Sequence, residues 1–185
     1  HLDTQWKWTV RQTIGEFLPN TLQQNFRLFE LYPDYVFNFE GAVKYSLMKE
    51  YYPQDFEKLK EYVREGRWRI SGSSWEASDV IVPSAESFFR NILLGQEFYR
   101  KEFGVTSKDI MLPDCFGFSA NLPTIASHCG LLGFSTQKLG WRYANFHGDS
   151  KWPFEFGVWE GIDGSKILAV AHGYKYSWNP DRDFS

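Results

Sequence analysis

The chain is 185 residues long, the usual size of one domain, with 43% hydrophobic and 23% charged residues, as in ordinary soluble globular proteins. Twenty Lys and Arg against 23 Asp and Glu give a formal charge of −3, and no basic run or stripe interrupts the balance, so the electrostatic footprint of nucleic-acid binding is missing. No apolar stretch approaches the roughly 20 residues of a membrane span. In chain order, Leu18, Leu22, Phe26 and Phe29 recur at spacings of three and four, and the spacing predicts a helix over Leu18–Leu31 that stops at Pro33-Asp34. Residues 35–39 are short and densely apolar, as in a buried strand. A helix is expected over 54–65, ended by Gly66, and a strand at Trp68–Ile70. Pro83-Ser84 opens a longer helix carrying Phe88, Ile92 and Tyr99 and ending at Gly104. A brief strand over 110–112, a short helix over 123–129 and a strand at Gly133–Thr136 follow. Residues 140–152 are polar and irregular, as in a loop, and Asp163-Gly164 marks a hairpin or tight connection between strands Phe156–Glu160 and Lys166–Ala171. This alternation in units of about 30 to 40 residues predicts an α/β fold with a parallel sheet or barrel, and residues 1–185 read as a single domain.

Phe, Trp and Tyr make up 19% of the chain. A large aromatic core accounts for such a surplus, and so does sugar binding, since these rings stack on the apolar faces of sugars and offer a polar tip to hydroxyls. Three positions carry candidate chemistry. His1-Leu-Asp3 is an i, i+2 pair that leaves a strand with both side chains on one side, so that imidazole and carboxylate can meet one cation; the plain alternative is an exposed strand end. Asp114 follows a short apolar strand and precedes a glycine turn, the place where catalytic groups gather in α/β barrels, or else where a carboxylate caps a loop. Trp6 either stacks on a ligand held at that cation or packs in the core. Glu76 and Asp79 follow the Trp68–Ile70 strand and face either the same mouth or solvent. Cys115 and Cys129 form no CxxC or zinc-finger spacing and leave the compartment open.

Four blocks, taken together, resemble glycoside hydrolase family 38, the α-mannosidases. They are His1-Leu-Asp3-Thr-Gln-Trp6; Ser71-Gly-Ser-Ser-Trp75-Glu-Ala-Ser-Asp79 with Glu86 to Arg90; Pro113-Asp114-Cys-Phe-Gly117-Phe-Ser119; and Phe134-Ser-Thr-Gln137-Lys138, in that order and at matching intervals over nearly the whole chain. The resemblance implies the N-terminal part of a seven-stranded β/α barrel, one Zn²⁺ ion, and removal of terminal α-linked mannose from glycans with retention of configuration. By that similarity His1, Asp3 and Asp114 are zinc ligands, and Asp114 is also the nucleophile. A neighbouring divalent cation suits such a nucleophile, because it favours the ionised carboxylate. The resemblance further makes Trp6 the platform under the mannose, places Phe116 in the pocket wall, and sets Lys138 where the family usually has an arginine.

A retaining glycosidase needs a second carboxyl group about 5 Å from the nucleophile. No motif supplies it here: Asp181 and Asp183 lie at the extreme end, and the resemblance puts both the acid/base and the fourth zinc ligand outside this chain. His128 reads as helical, His147 as part of the polar loop, and His172 as the end of an apolar strand. A closed barrel of this kind takes about 250 residues, so the remaining staves are expected from the rest of the catalytic domain or from an associating chain, with any targeting segment upstream. An extracytoplasmic setting is favoured if external glycans are degraded. Two other readings use the same residues: a carbohydrate- or metal-binding piece without turnover, and another metal-dependent barrel hydrolase such as a polysaccharide deacetylase.

Overall fold

The structure, a computed structural model, describes residues 1–137 and 156–171. Lys138, the 140–152 loop, His147, His172, Asp181 and Asp183 lie outside the described residues. Thr9 opens the first helix with a capping box: its hydroxyl accepts the Gln12 N–H, and the Gln12 side chain accepts the Thr9 N–H. Helix α1 (Val10–Gln12) runs through a π-helical turn at Thr13–Phe17 into α2 (Leu18–Leu31). Pro19 has no N–H for the carbonyl of Gly15, and the preceding Leu18 N–H reaches back to Thr13 O, which widens the turn. The helix expected over Leu18–Leu31 is therefore the second part of a longer one.

Strand β1 (Phe37–Phe39) is followed by α3 (Ala42–Tyr51), for which no helix was expected. Its first amides are not orphaned, since Ala42 N–H donates to Ser74 O at 3.1 Å and Val43 N–H to Trp75 O at 2.9 Å. Helix α4 (Pro53–Arg64), strand β2 (Trp68–Ile70) and helix α5 (Ala85–Phe103) lie within a residue or two of the expected positions. Ser84 caps α5 through the Ser87 N–H, and Gly104 closes it with φ 71°. Strand β3 (Asp109–Met111), helix α6 (Leu122–His128), β4 (Gly133–Thr136), β5 (Phe156–Glu160) and β6 (Lys166–Ala171) complete the described chain.

The strands form two small sheets. β1 and β2 pair in parallel, Phe37 opposite Trp68. The second sheet has the order β3-β4-β6-β5, parallel except for β5, which turns back antiparallel on β6 as the hairpin signal required. Asp109 joins the two sheets: its backbone carbonyl accepts the Ser73 N–H at 3.0 Å, and its carboxylate takes the Ser71 hydroxyl at 2.9 Å and the Gly72 N–H at 3.1 Å. The expected class, α/β with parallel strands, is what forms. The described residues do not form a closed seven-stranded barrel, because only five parallel strands are present and β5 runs the other way.

Two apolar cores hold these layers. In the first, Trp68 is packed among Phe26, Phe29, Phe37, Phe39 and Tyr45 between the β1–β2 pair and its helices. Its indole N–H donates to Tyr45 Oη at 2.9 Å, and that hydroxyl donates to Phe39 O at 2.9 Å. The second gathers Phe88, Ile92, Ile110, Leu122, Phe134 and Ile167 beneath β3-β4-β6. Much of the aromatic surplus is thus core.

Candidate active site

The carboxyl ends of parallel strands are where side chains from different strands converge, and here they deliver Glu40 after β1, Glu76 beyond β2 and Asp114 beyond β3. His1, Leu2 and Asp3 are not in a strand, contrary to the expectation that the pair leaves one, yet they reach the same place. One ligand atom from each of His1, Asp3 and Asp114 lies within 4.8 Å of the others, and among the described residues this is the one such group of His, Cys, Asp or Glu. An open cleft of about 300 Å³ lined by His1, Leu2, Asp3, Trp6, Trp8 and Asp114 surrounds them.

The arm that carries His1 and Asp3 is tied down locally. The Thr13 hydroxyl, in the π turn, donates to Thr4 O at 2.8 Å and accepts the Trp8 indole N–H at 3.0 Å. Trp8 sets its edge against Trp6 and Phe17, with ring centroids at 5.7 and 5.1 Å. Trp6 is 64% exposed, so it faces the cleft and not a core. Trp8 and Thr4 carry no signal of their own in the sequence; only the position of Thr9 and Gln12 hinted that a helix starts here.

Behind the cleft lies a charged cluster. Lys44 on α3 is completely buried, with Nζ 3.1 Å from Glu40 Oε1 and 2.9 Å from Glu76 Oε1. Burial works against the ammonium, but the two carboxylates outweigh it and raise the Lys44 pKa, so the contribution of this group is present below about pH 10.4 and lost as pH rises through the raised value. Burial pushes the Glu40 carboxyl up, against the pull of Lys44. Glu76 is also bonded to the Thr4 hydroxyl, and its backbone is clamped by Asn91, whose side chain accepts the Glu76 N–H at 3.1 Å and donates to Glu76 O at 2.8 Å.

The other anticipated residues are placed differently. Asp79 Oδ1 accepts the N–H groups of Ile81 at 2.7 Å and Val82 at 3.0 Å, an Asx-type turn that holds its pKa down. Phe116 is half exposed and does not line the cleft that surrounds Asp114. Glu86 and Arg90 form an exposed i, i+4 pair at 2.8 Å on α5. Cys115, next to Asp114, donates its thiol to Ser78 O at 3.3 Å, and burial pushes its pKa up to about 11. His128 sits at the end of α6 beside Asp163, outside the cluster.

Residues 1–183 match the Glycosyl hydrolases family 38 N-terminal domain. The chain belongs to glycosyl hydrolase family 38. Family members similar to it include alpha-mannosidase G of Dictyostelium discoideum, 39% identical over 168 residues, and alpha-mannosidase 2C1 of Homo sapiens, 34% identical over 168 residues, each covering 91% of this chain. The chain spans 15% and 16% of the length of those two relatives. Among solved structures, an alpha-mannosidase from Enterococcus faecalis V583 superposes on 91% of the chain and 19% of its own, with a TM-score of 0.73 at 22% identity, a likeness of fold. A putative polysaccharide deacetylase from Mycobacterium smegmatis shares the fold more distantly, with a TM-score of 0.56 at 12% identity over 94% of this chain and 53% of its own.

Proposed function

We propose that this chain supplies the nucleophile and the cation-binding side of the active site of a retaining, zinc-dependent α-mannosidase that releases terminal α-linked mannose from glycans. The observation that carries the reading is the convergence of His1, Asp3 and Asp114 within 4.8 Å in an open cleft of a family 38 chain. One imidazole nitrogen and two carboxylates are donors that suit zinc, and the fourth ligand is read as coming from outside this chain. Bound there, the ion supplies Lewis-acid stabilisation of oxygen ligands and holds negative charge in the pocket.

The nucleophile is the chain's own. An oxygen of Asp114 attacks the anomeric carbon, and a covalent bond to the sugar forms as the bond to the glycosidic oxygen breaks. That oxygen leaves with a proton from a second carboxyl group, which we place elsewhere in the catalytic domain. Water then displaces Asp114 from the same carbon, giving its proton to that second group, and two inversions leave the configuration retained. Trp6, exposed on the cleft, offers its ring to the apolar face of the mannose. Phe116, Asp79 and Lys138 are read as outer contacts of the glycan, and Glu76 as a support behind the ligands. In this reading β1–β4 and β6 are staves of a seven-stranded β/α barrel within one catalytic domain, and the remaining staves come from other parts of the protein.

The test is hydrolysis of an aryl α-mannoside by the full-length protein and by Asp114→Ala. Turnover that falls roughly 10⁴-fold in a folded variant is expected, with α-mannose as the first anomer seen by NMR. Near-wild-type activity in the variant removes Asp114 as nucleophile. Release of acetate from an acetylated glycan, without mannose, would favour deacetylase chemistry on the same three residues.

A further inference from the structure

We propose that Lys44 is a positioning residue for the cation site, acting through Glu76 and Thr4 on the arm that carries His1 and Asp3. The inference rests on the zinc reading above.

A fully buried lysine is unusual unless it is paired, and Lys44 is led to its partners by the backbone itself. A β-carbon at Gly41 would stand 2.3 Å from Lys44 Nζ and 2.4 Å from its Cε, so the side chain crosses the main chain where only glycine leaves room. Gly41 has φ 85°, a second reason for glycine. The ammonium thereby arrives 2.9 Å from Glu76 Oε1. The two carboxylate oxygens of Glu76 divide their work: Oε1 takes Lys44 and the Ala77 N–H, and Oε2 takes the Thr4 hydroxyl. Asn91 fixes the Glu76 backbone from the opposite side. Thr4 directly follows Asp3, and its carbonyl is held by Thr13. Lys44, Glu76 and Thr4 thus form one chain of contacts that ends next to a cation ligand, and groups that orient ligands from behind set the affinity of a metal site.

The effect of Lys44 can be separated from simple charge because the two have opposite signs. Glu40, Lys44 and Glu76 together carry one net negative charge when all are ionised. Removing the ammonium makes the surroundings more negative, which by Coulomb attraction alone tightens a nearby cation. Releasing Glu76 and Thr4 loosens the arm, which weakens it.

The experiment is a Zn²⁺ competition titration against a chromophoric chelator, on the full-length protein and on Lys44→Met and Thr4→Val, with the visible spectrum of the Co²⁺-substituted proteins as a report on coordination. Both variants are expected to bind Zn²⁺ about 10- to 100-fold more weakly than wild type, with an altered Co²⁺ spectrum. Thr4→Val keeps the volume and removes only the hydroxyl, so it carries the test even if Lys44→Met fails to fold. Affinity equal to or tighter than wild type in the folded variants overturns the positioning role while leaving the zinc site intact. A wild-type protein that takes up no Zn²⁺ overturns the zinc reading itself, and this inference with it.

Discussion

Gly95, midway along α5, lies so close to Ser73 that a β-carbon in its place would stand 2.2 Å from the Ser73 carbonyl oxygen. The same atom would meet Ser74 C at 2.4 Å and Trp75 N at 2.7 Å, all backbone atoms that no side-chain rotation can move away. The helix is pressed against the segment that leads directly to Glu76. Gly95→Ala is therefore expected to destabilise the protein by about 1–3 kcal/mol through overpacking, despite the better helix propensity of alanine. Urea denaturation measures it; a neutral or stabilising substitution would mean that the segment yields easily. On the α-mannosidase proposal, the variant should also lose turnover beyond its loss of stability, because displacement of residues 73–75 reaches Glu76 and the arm.

Tyr45→Phe tests the polar link within the first core. It leaves the buried Trp68 N–H without its acceptor and removes one of two donors to Phe39 O, which keeps the Ser71 N–H, and so is expected to cost about 1–3 kcal/mol with little change in shape. Tyr45 does not line the cleft, and kcat should stay within a few-fold of wild type. A cost below about 0.5 kcal/mol would show that water or a neighbour satisfies the indole, and a large loss of turnover would show that this core reaches the site.

Acid should single out the β5–β6 turn. The hydroxyl of Thr124 at 2.6 Å, then the N–H and hydroxyl of Ser165 at 3.0 and 2.9 Å, hold the Asp163 carboxyl well below the usual carboxylate range. A lowered folded pKa contributes stability that is present above the ordinary value near 3.9 and is lost as pH falls through the lowered one. Asp163→Ala is thus expected to melt below wild type near pH 6, with a gap that narrows as pH falls under about 4. A gap that is constant with pH would assign the effect to turn geometry alone.

What could be read from the sequence depended on whether a residue's role is local. Helix α5 was legible because Ser84 and Gly104 mark its ends and Phe88, Ile92 and Tyr99 lie on one stripe. Helix α3 was not, because its buried face includes Lys44, and a charged residue in the stripe reads as solvent-facing. Val10–Phe17 was missed although Thr9 and Gln12 spell a capping box, since the π turn and Pro19 break the helical period. His1, Asp3 and Asp114 were candidates by residue type, each with a plain alternative, and became one set through the resemblance of the four blocks to family 38. Thr4, Lys44 and Asn91 could not be found in that way, for their importance lies in contacts such as Thr4 to Glu76, across 72 residues of chain.

The junction at Asp109 has a thermodynamic consequence. His1 and Asp3 ride on an arm fastened to the first sheet's surroundings through Glu76 and Thr13, whereas Asp114 extends from the second sheet. A cation shared by the three would bridge two separately cored halves. Free energy of binding would then add to the coupling that α5 already provides by placing Tyr99 in the first core and Phe88 and Ile92 in the second: with the ion present the chain melts at a temperature that rises with its concentration, and with a chelator the two cores are coupled by α5 and the Asp109 junction alone.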